Sequence, residues 1–308
     1  MNSKGIESMR QIRTKRPVIQ FGGDWTSHKL NLLKAYLTPY ATIMKKQNFT
    51  FAYIDAFAGT GNRRIKKSET PTNPLFPDFA KKEVRDFLDG SARIALQIHP
   101  QFDKYIFIEL TPTRFRELSA LRNDFPELAD KIELINADCN MWLKERCLRY
   151  NWAKHRAVLF LDPFGMQVEW TTIEAIAKTE AIDVLILFPL GVAVNRLLRK
   201  DGMIESEWRS ALDRLFGTQN WYDLFYRQTI EQDLFETTTK VKKIVNLNSI
   251  SRYYVERLKT VFPVGGVVER PHPLLNSKGN PLYHLCFAAG NPRGARIAVK
   301  IANYVLKG

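Results

Sequence analysis

Four acidic residues each end or closely follow an apolar run of the sequence, and a glycine turn follows the first of them. Asp55 comes at the end of one run, and Glu109, Asp138 and Asp162 come after three later ones. A carboxylate in such a place can accept hydrogen bonds from an ammonium group, from loop amides or from both hydroxyls of a ribose. Glycines in the turn allow the backbone to pass close to a ligand. The predicted ligand-binding residues of this turn are Asp55, Ala56, Phe57, Ala58, Gly59, Thr60 and Gly61.

The next two acids predict contacts with a nucleoside. Glu109 is expected to accept the two ribose hydroxyls, and Asp138 or its neighbouring amide to reach an adenine edge. Either acid could instead cap the helix that follows it.

The sequence Asp162-Pro163-Phe164-Gly165 has a pattern suited to amine chemistry. An exocyclic amine becomes nucleophilic when its lone pair is freed from ring conjugation. A carboxylate and a main-chain carbonyl can promote this by accepting the two N–H groups while an aromatic ring stacks on the base. Asp162, the Pro163 carbonyl and Phe164 are the candidates for these roles, although a strand-end Asp with a turn-forming Pro is the simpler interpretation.

The sequence lacks the motifs for dinucleotide binding, for a nucleotide phosphate loop and for a metal site. The glycine turn has no third glycine where a nicotinamide dinucleotide would need one, and the chain has no Gly-x-x-x-x-Gly-Lys-Ser/Thr phosphate loop. Three scattered cysteines and the absence of a Cys-x-x-Cys or His-rich cluster predict neither a disulfide framework nor a metal site.

The chain is strongly basic, with a net charge of +14. Such a field attracts phosphate-rich polymers, so contact with nucleic acid is expected, although charge runs are often only solvated faces. One cluster follows the glycine turn directly and is the candidate phosphate contact: Arg63, Arg64, Lys66 and Lys67. Other clusters lie at residues 10–16, 144–156 and 240–243.

The elements that position these residues alternate between short apolar runs and helical patterns, which predicts βαβ units and a doubly wound parallel sheet. An amphipathic helix is predicted at 25–45, and strands at 51–57, 105–109, 132–135, 157–161, 183–188, 261–268 and 282–288. The last two are expected to form an antiparallel hairpin at a sheet edge. Residues 191–259 are predicted to form a wholly helical insertion subdomain within an α/β domain made of 1–190 and 260–308.

Residues 50–190 resemble class I S-adenosylmethionine-dependent methyltransferases, particularly the amino-methylating enzymes of DNA and ribosomal RNA. The resemblance rests on Ala-Gly-Thr-Gly at the end of the glycine turn, on Glu109 and Asp138, and on Asp162-Pro163-Phe164. It implies a Rossmann-like fold with a seven-stranded sheet and S-adenosylmethionine as cofactor. The turn would hold the methionine part, Glu109 the ribose, and Asp138 with Cys139 the adenine. The amino-methyltransferase signature is Asp/Asn-Pro-Pro-Tyr/Phe, whereas this chain has a single proline.

Over almost the whole chain the sequence is similar to the three-Cys-motif partner family, TcmP. The matching residues include Trp25-Thr26, Lys29-Leu30, Tyr36-Leu37, Gly90-Ser91, the segments at 53–61 and 160–165, and Tyr283-His284-Leu285. That family is named for a neighbouring protein that bears the cysteines, typically a radical-S-adenosylmethionine-like protein. The resemblance implies the methyltransferase fold and a possible protein partner.

Three functions stay open at this point. The leading hypothesis is an S-adenosylmethionine-dependent methyltransferase that acts on an amino group of a nucleic-acid base. The second is a cofactor-binding, non-catalytic partner or regulator of a three-Cys-motif protein, and the third is a nucleic-acid-binding module without a working pocket. No apolar run approaches the roughly 20 residues of a membrane span, and residues 1–16 lack the apolar core of a secretory signal, so no membrane association and a cytoplasmic location are expected.

Overall fold

The computed structural model describes residues 25–60, 90–232 and 237–307. The strands are β1 (Thr50–Asp55), β2 (Lys104–Ile108), β3 (Ile132–Ile135), β4 (His155–Leu161), β5 (Ile182–Phe188), β6 (Tyr226–Gln232), β7 (Thr237–Lys243), β8 (His272–Leu275) and β9 (Pro281–Ala288). The helices are α1 (Trp25–Met44), α2 (Ser91–Leu96), α3 (Pro112–Leu118), α4 (Leu121–Asp124), α5 (Cys139–Arg149), α6 (Trp170–Lys178), α7 (Asn195–Leu197), α8 (Ser206–Phe216), α9 (Trp221–Phe225), α10 (Leu247–Lys259) and α11 (Ala295–Leu306). A 3-10 helix (Pro126–Lys131) and a single π-helical segment (Leu190–Val194) complete the helical elements of these ranges.

Seven of the strands form one sheet in the order β3-β2-β1-β4-β5-β9-β8. The strands from β1 to β5 pair in parallel, whereas β9 is antiparallel to both β5 and β8. The predicted doubly wound sheet with an antiparallel C-terminal hairpin is therefore confirmed, although β8 takes the place of the strand predicted at 261–268 in that hairpin.

Both faces of the sheet are covered, which is why its central strands consist mostly of apolar residues. Because side chains alternate along a strand, Tyr53 of β1 joins the core on the side of α1 and α11, whereas Ile54 joins the core on the side of α5 and α6. Burying a side chain of this size stabilises the fold by about 1.5–3 kcal/mol.

Helix α1 is fixed near its middle by a buried carboxyl. The hydroxyl of Tyr36 donates to Oδ2 of Asp183 at 3.1 Å, and the amide of Gly290 donates to Oδ1 at 3.0 Å. Burial raises the pKa of Asp183 to about 6. Asp183 lies near the start of β5, so Tyr36 marks the amino end of that strand. A helix rises 1.5 Å per residue, and residues about two turns before Tyr36 therefore reach the carboxyl ends of the strands.

The interval 191–259 is not wholly helical, and the helical prediction is wrong for residues 226–232 and 237–243. These two segments are β6 and β7, which pair with each other in antiparallel fashion. The stretch contains threonines and other β-branched residues but little apolar alternation, and cross-strand pairing decides its conformation instead. Residues of the interval, including Phe216 and Trp221, pack into the same core as β5. The proposed domain boundaries remain a prediction.

The strand predicted at 261–268 is also wrong. Gly265 has a φ of +74° and the amide of Gly266 bonds to the carbonyl of Pro263 at 2.7 Å, so the chain turns here. Only Val267 makes an isolated bridge, to Ala288, and the edge strand is β8 instead.

Within the ranges that the structure describes, no helix is both long and apolar enough to cross a membrane. The cytoplasmic location remains a prediction.

Candidate functional site

The strand order reverses between β1 and β4, and two of the predicted acids lie at this point. Asp55 is the last residue of β1, and Asp162 directly follows β4. In open α/β sheets, ligands bind outside the carboxyl ends of the strands at such a reversal. The geometry therefore puts the candidate site between Asp55 and Asp162.

Asp55 is fully buried and hydrogen-bonded on both oxygens. Oδ2 accepts from the hydroxyl of Tyr53 at 3.2 Å, and Oδ1 accepts from the amide of Phe57 at 3.3 Å. Burial raises the pKa of Asp55, while hydrogen bonds from Ser91 and Phe57 and the charge of Lys29 oppose the rise. Ser91, at the start of α2, had no predicted role. The carboxyl is thus held rigidly at the start of the turn.

Glu109 binds the glycine turn instead of capping a helix. Its Oε2 accepts from the amide of Gly59 at 3.1 Å, and its Oε1 accepts from the amide of Thr111 at 2.7 Å. Gly59 has a φ of +61°, a conformation that glycine adopts without strain. Each carboxylate oxygen can accept a further hydrogen bond, so Glu109 can hold the turn and still receive a ligand hydroxyl.

A buried lysine with no predicted role in the site is bonded to Asp162 and is near enough to Asp55 for the two charges to interact. Nζ of Lys29 donates to Oδ2 of Asp162 at 2.8 Å, and the side chains are 0% and 6% exposed. Burial lowers the pKa of Lys29 well below its ordinary value, and the charge of Asp55 opposes this. The sequence does contain a signal for it, because Lys29 shares a helical face with buried Trp25 and Leu33, four residues away on either side.

The lysine also changes what Asp162 can do. One of the hydrogen bonds that Oδ2 can accept comes from Lys29, and Oδ1 can accept from a further donor. The aromatic rings of Trp25 and Phe160 lie 6.0 Å and 5.3 Å from the ammonium, so cation–π contacts accompany the ion pair.

The loop after Asp162 is tied down by one buried asparagine. Nδ2 of Asn140 donates to the carbonyl of Gln167 at 2.8 Å, and Oδ1 accepts from the amide of Glu169 at 3.0 Å. The same Oδ1 accepts from the hydroxyl of Thr172 at 2.8 Å. Asn140, in the first turn of α5, therefore couples this loop to α6, and sequence patterns did not single it out.

Pro163 and Phe164 lie beside this anchor. Pro163 is buried and Phe164 is partly exposed. The amide of Phe164 donates to Oε1 of Gln167 at 2.7 Å, and the guanidinium of Arg114 lies 5.3 Å from its ring. Gly165 has a φ of +69°, which allows the turn. Phe164 is thus held at the edge of the site, with one face stacked by a cation.

Asp138 is the N-cap of α5, with Oδ1 accepting from the amide of Met141 at 3.0 Å. Burial and the charge of Asp138 raise the pKa of Cys139 to about 12, so this thiol is neutral near pH 7. Capping engages one oxygen of Asp138, and the contact with an adenine remains a prediction. Gly61, Arg63, Arg64, Lys66 and Lys67 lie outside the described residues.

The strand order and strand directions are those of the Rossmann-like class I methyltransferase fold.

No protein-family model matches the sequence, and no curated protein does. Membership of the three-Cys-motif partner family is therefore not confirmed. Among solved structures, a protein from Legionella pneumophila is 15% identical with a TM-score of 0.39, covering 79% of this chain and 94% of that chain.

Two further solved structures carry methyltransferase names. Magnesium protoporphyrin IX methyltransferase from Synechocystis, solved with bound S-adenosylmethionine, is 8% identical with a TM-score of 0.31, covering 70% of this chain and 78% of that chain. An rRNA methylase from Streptococcus thermophilus is 15% identical with a TM-score of 0.27, covering 71% of this chain and 95% of that chain.

Proposed function

We propose that this protein is an S-adenosylmethionine-dependent methyltransferase that acts on an amino group of a nucleic-acid base. The observation that carries the proposal is the convergence of Asp55, Glu109 and Asp162 with the Gly59 turn where the strand order reverses. Ligands bind at this place in doubly wound sheets.

The acidic side chains of the site suit this cofactor. Among the described residues, the buried ionisable side chains around the site are three acids, Asp55, Glu109 and Asp162, and one lysine, Lys29, so acidic groups are in excess there. A sulfonium ligand with an α-ammonium group would offset this excess. Asp55 and the turn would hold the methionine part, and Glu109 would receive the ribose hydroxyls.

Bound S-adenosylmethionine supplies an electrophilic methyl group. The protein's own contribution is to position the acceptor amine, which is where most of the rate gain in such a displacement arises. Oδ1 of Asp162 and the carbonyl of Pro163 accept the two N–H groups, and Phe164 stacks on the base. The hydrogen bond from Lys29 holds the side chain of Asp162 in place, and Asp162 accepts a hydrogen bond from the amine and then the proton that the methylated nitrogen loses.

The test combines calorimetry with methyl transfer. Purified protein is titrated with S-adenosylmethionine and then incubated with the labelled cofactor and total RNA or DNA. Asp162→Asn is expected to retain cofactor binding and lose label transfer at least about a hundredfold. Asp130→Asn, an exposed acid on the 3-10 helix, is the matched control and should leave both unchanged. Absence of cofactor heat in the unmodified protein contradicts the proposal.

The engagement of Asp162 by Lys29 favours a second candidate. With one oxygen already bonded, the site could bind the cofactor without catalysis, as a partner or regulator of a three-Cys-motif protein. This candidate gains if the protein binds S-adenosylmethionine, labels no nucleic acid alone and copurifies with such a partner.

A further inference from the structure

The β6–β7 hairpin presents a basic face outside the site already described. Antiparallel pairing places Arg227 directly opposite Lys242, and Thr229 directly opposite Lys240. Directly paired residues point to the same side of a two-stranded sheet, and side chains alternate between the two sides along each strand. Both of these pairs therefore lie on the same side. All four residues are exposed. We call this side the outer face of the ribbon.

Near its base, the other face of the ribbon packs against the body of the protein. Tyr226 is buried, and its hydroxyl donates to the carbonyl of Arg199 at 2.9 Å. Val241 packs into the core on the side of α5 and α6. The base of the ribbon is therefore held on the side of Tyr226 and Val241, whereas Arg227 and Lys242 are exposed on the outer face.

The base of the ribbon is attached close to the carboxyl end of β5. Nζ of Lys243 donates to Oδ1 of Asn195 at 2.8 Å, and its amide donates to the carbonyl of Lys200 at 3.0 Å. Asn195 begins α7, which follows β5 through a single π-helical segment. Since β5 pairs with β4, and β4 leads into Asp162, the ribbon is rooted at the edge of the sheet that contains the site.

The cross-strand pair of Arg227 and Lys242 is unfavourable without a counter-ion. Directly opposite residues have Cβ atoms about 4.5–5.5 Å apart, and like charges at this distance destabilise a sheet. Neither side chain forms an ion pair with a carboxylate in the described part of the chain. A phosphate between the two cations would relieve the repulsion.

We propose that the outer face of the β6–β7 ribbon binds the phosphate backbone of a nucleic acid. The proposal rests on the function proposed above and assigns its substrate contact. A two-stranded ribbon has the dimensions that the major groove of DNA admits, and basic and hydroxyl side chains provide the phosphate contacts. An anionic membrane is a poorer fit because Arg227, Thr229, Lys240 and Lys242 include no apolar side chain to insert.

The test measures binding of fluorescently labelled duplex DNA and RNA by anisotropy over a series of salt concentrations. Arg227→Gln combined with Lys242→Gln should weaken binding about tenfold and reduce the slope of log affinity against log salt by about two. The matched control is Lys300→Gln combined with Lys307→Gln, which removes equal charge from exposed positions on and beside α11. The control should retain the slope of the unmodified protein.

Equal losses in the two double variants, or no loss in the ribbon variant, would overturn the inference. Ribbon-dependent binding to anionic phosphatidylserine vesicles with no affinity for nucleic acid would also overturn it. Ribbon-dependent nucleic-acid binding without cofactor heat would instead contradict the proposed methyl transfer and leave the binding surface supported.

Discussion

Lys29 and Asp162 form a buried ion pair, 2.8 Å from Nζ to Oδ2, although 133 residues separate them along the chain. The lysine comes from the first turns of α1, and the aspartate follows β4. A buried pair of this kind contributes little net stability over apolar residues, but breaking it leaves an uncompensated charge. Its location between two strand ends therefore indicates a role in the site.

Replacing Lys29 with methionine should destabilise the fold strongly. Lys29→Met leaves the buried carboxylate of Asp162 without its partner, and the expected loss in the free energy of unfolding is about 3–5 kcal/mol. Urea denaturation measures it. Lys45→Met is the control, because Lys45 is 60% exposed and 3.8 Å from Asp103, and should cost less than about 1 kcal/mol.

A double variant separates the pair from the surrounding packing. Lys29→Met combined with Asp162→Asn should lose less stability than the sum of the two single losses. Additive losses would mean that the two side chains do not depend on one another.

Replacing Asn140 with alanine should loosen the loop that follows Asp162. The change leaves the amide of Glu169 and the hydroxyl of Thr172 without their acceptor, at a cost of about 3 kcal/mol in the free energy of unfolding. Methyl transfer should fall further than cofactor binding does. Asn123→Ala, at an exposed position of α4, should change stability by less than about 0.5 kcal/mol. Unchanged stability in Asn140→Ala would show that the three bonds are dispensable.

Glu109→Gln should weaken binding of S-adenosylmethionine by about 10–100-fold. The glutamine oxygen can accept from the amide of Gly59 or of Thr111 but not from both, because its other end is a donor. Calorimetry checks the affinity, and exposed Glu127→Gln serves as the matched variant. Equal affinity in the two variants would exclude Glu109 from the ligand site.

The free energy of unfolding should fall in mild acid because His284 becomes protonated. Burial, followed by the charge of His272, lowers the pKa of His284 to about 4, and Nδ1 is hydrogen-bonded to the hydroxyl of Ser251 at 2.6 Å. The imidazole of His284 binds a proton more tightly in the unfolded chain than in the folded protein. The contribution of neutral His284 to the free energy of unfolding is therefore complete above about pH 6.5 and is lost as pH falls toward 4. The full change corresponds to about 3 kcal/mol.

The histidine effect is isolated by a variant that does not titrate. His284→Asn keeps a polar atom near the Nδ1 position, so its free energy of unfolding should decline less than that of the unmodified protein over this pH interval. Parallel declines in the two proteins would assign the acid sensitivity to other groups, such as His28 and His272, whose Nε2 atoms lie 2.8 Å apart.

Most of the sheet could be predicted because its signals are local. Each parallel strand is an apolar run, so β1 to β5 were predicted to within a few residues, and their carboxyl ends necessarily share one edge. Asp55, Glu109, Asp138 and Asp162 were assigned to the site on that ground together with the glycine turn and the resemblance to methyltransferases. By contrast, β6 and β7 have little apolar periodicity and pair only with each other, so no local pattern predicted them. Residues 261–268 have the composition of a strand, but Pro263 and the glycines that follow it form a turn.

The sequence by itself determined the class of fold and the edge of the sheet at which the acids meet, because apolar periodicity and strand-end residues are properties of neighbouring positions. Only the tertiary structure decided that Lys29 pairs with Asp162, that Asn140 anchors the loop after it, and that Arg227 opposes Lys242. These are contacts between residues that lie far apart in the chain or on separate strands. Their free energies depend on burial and on partner geometry, which come into being only when the elements pack.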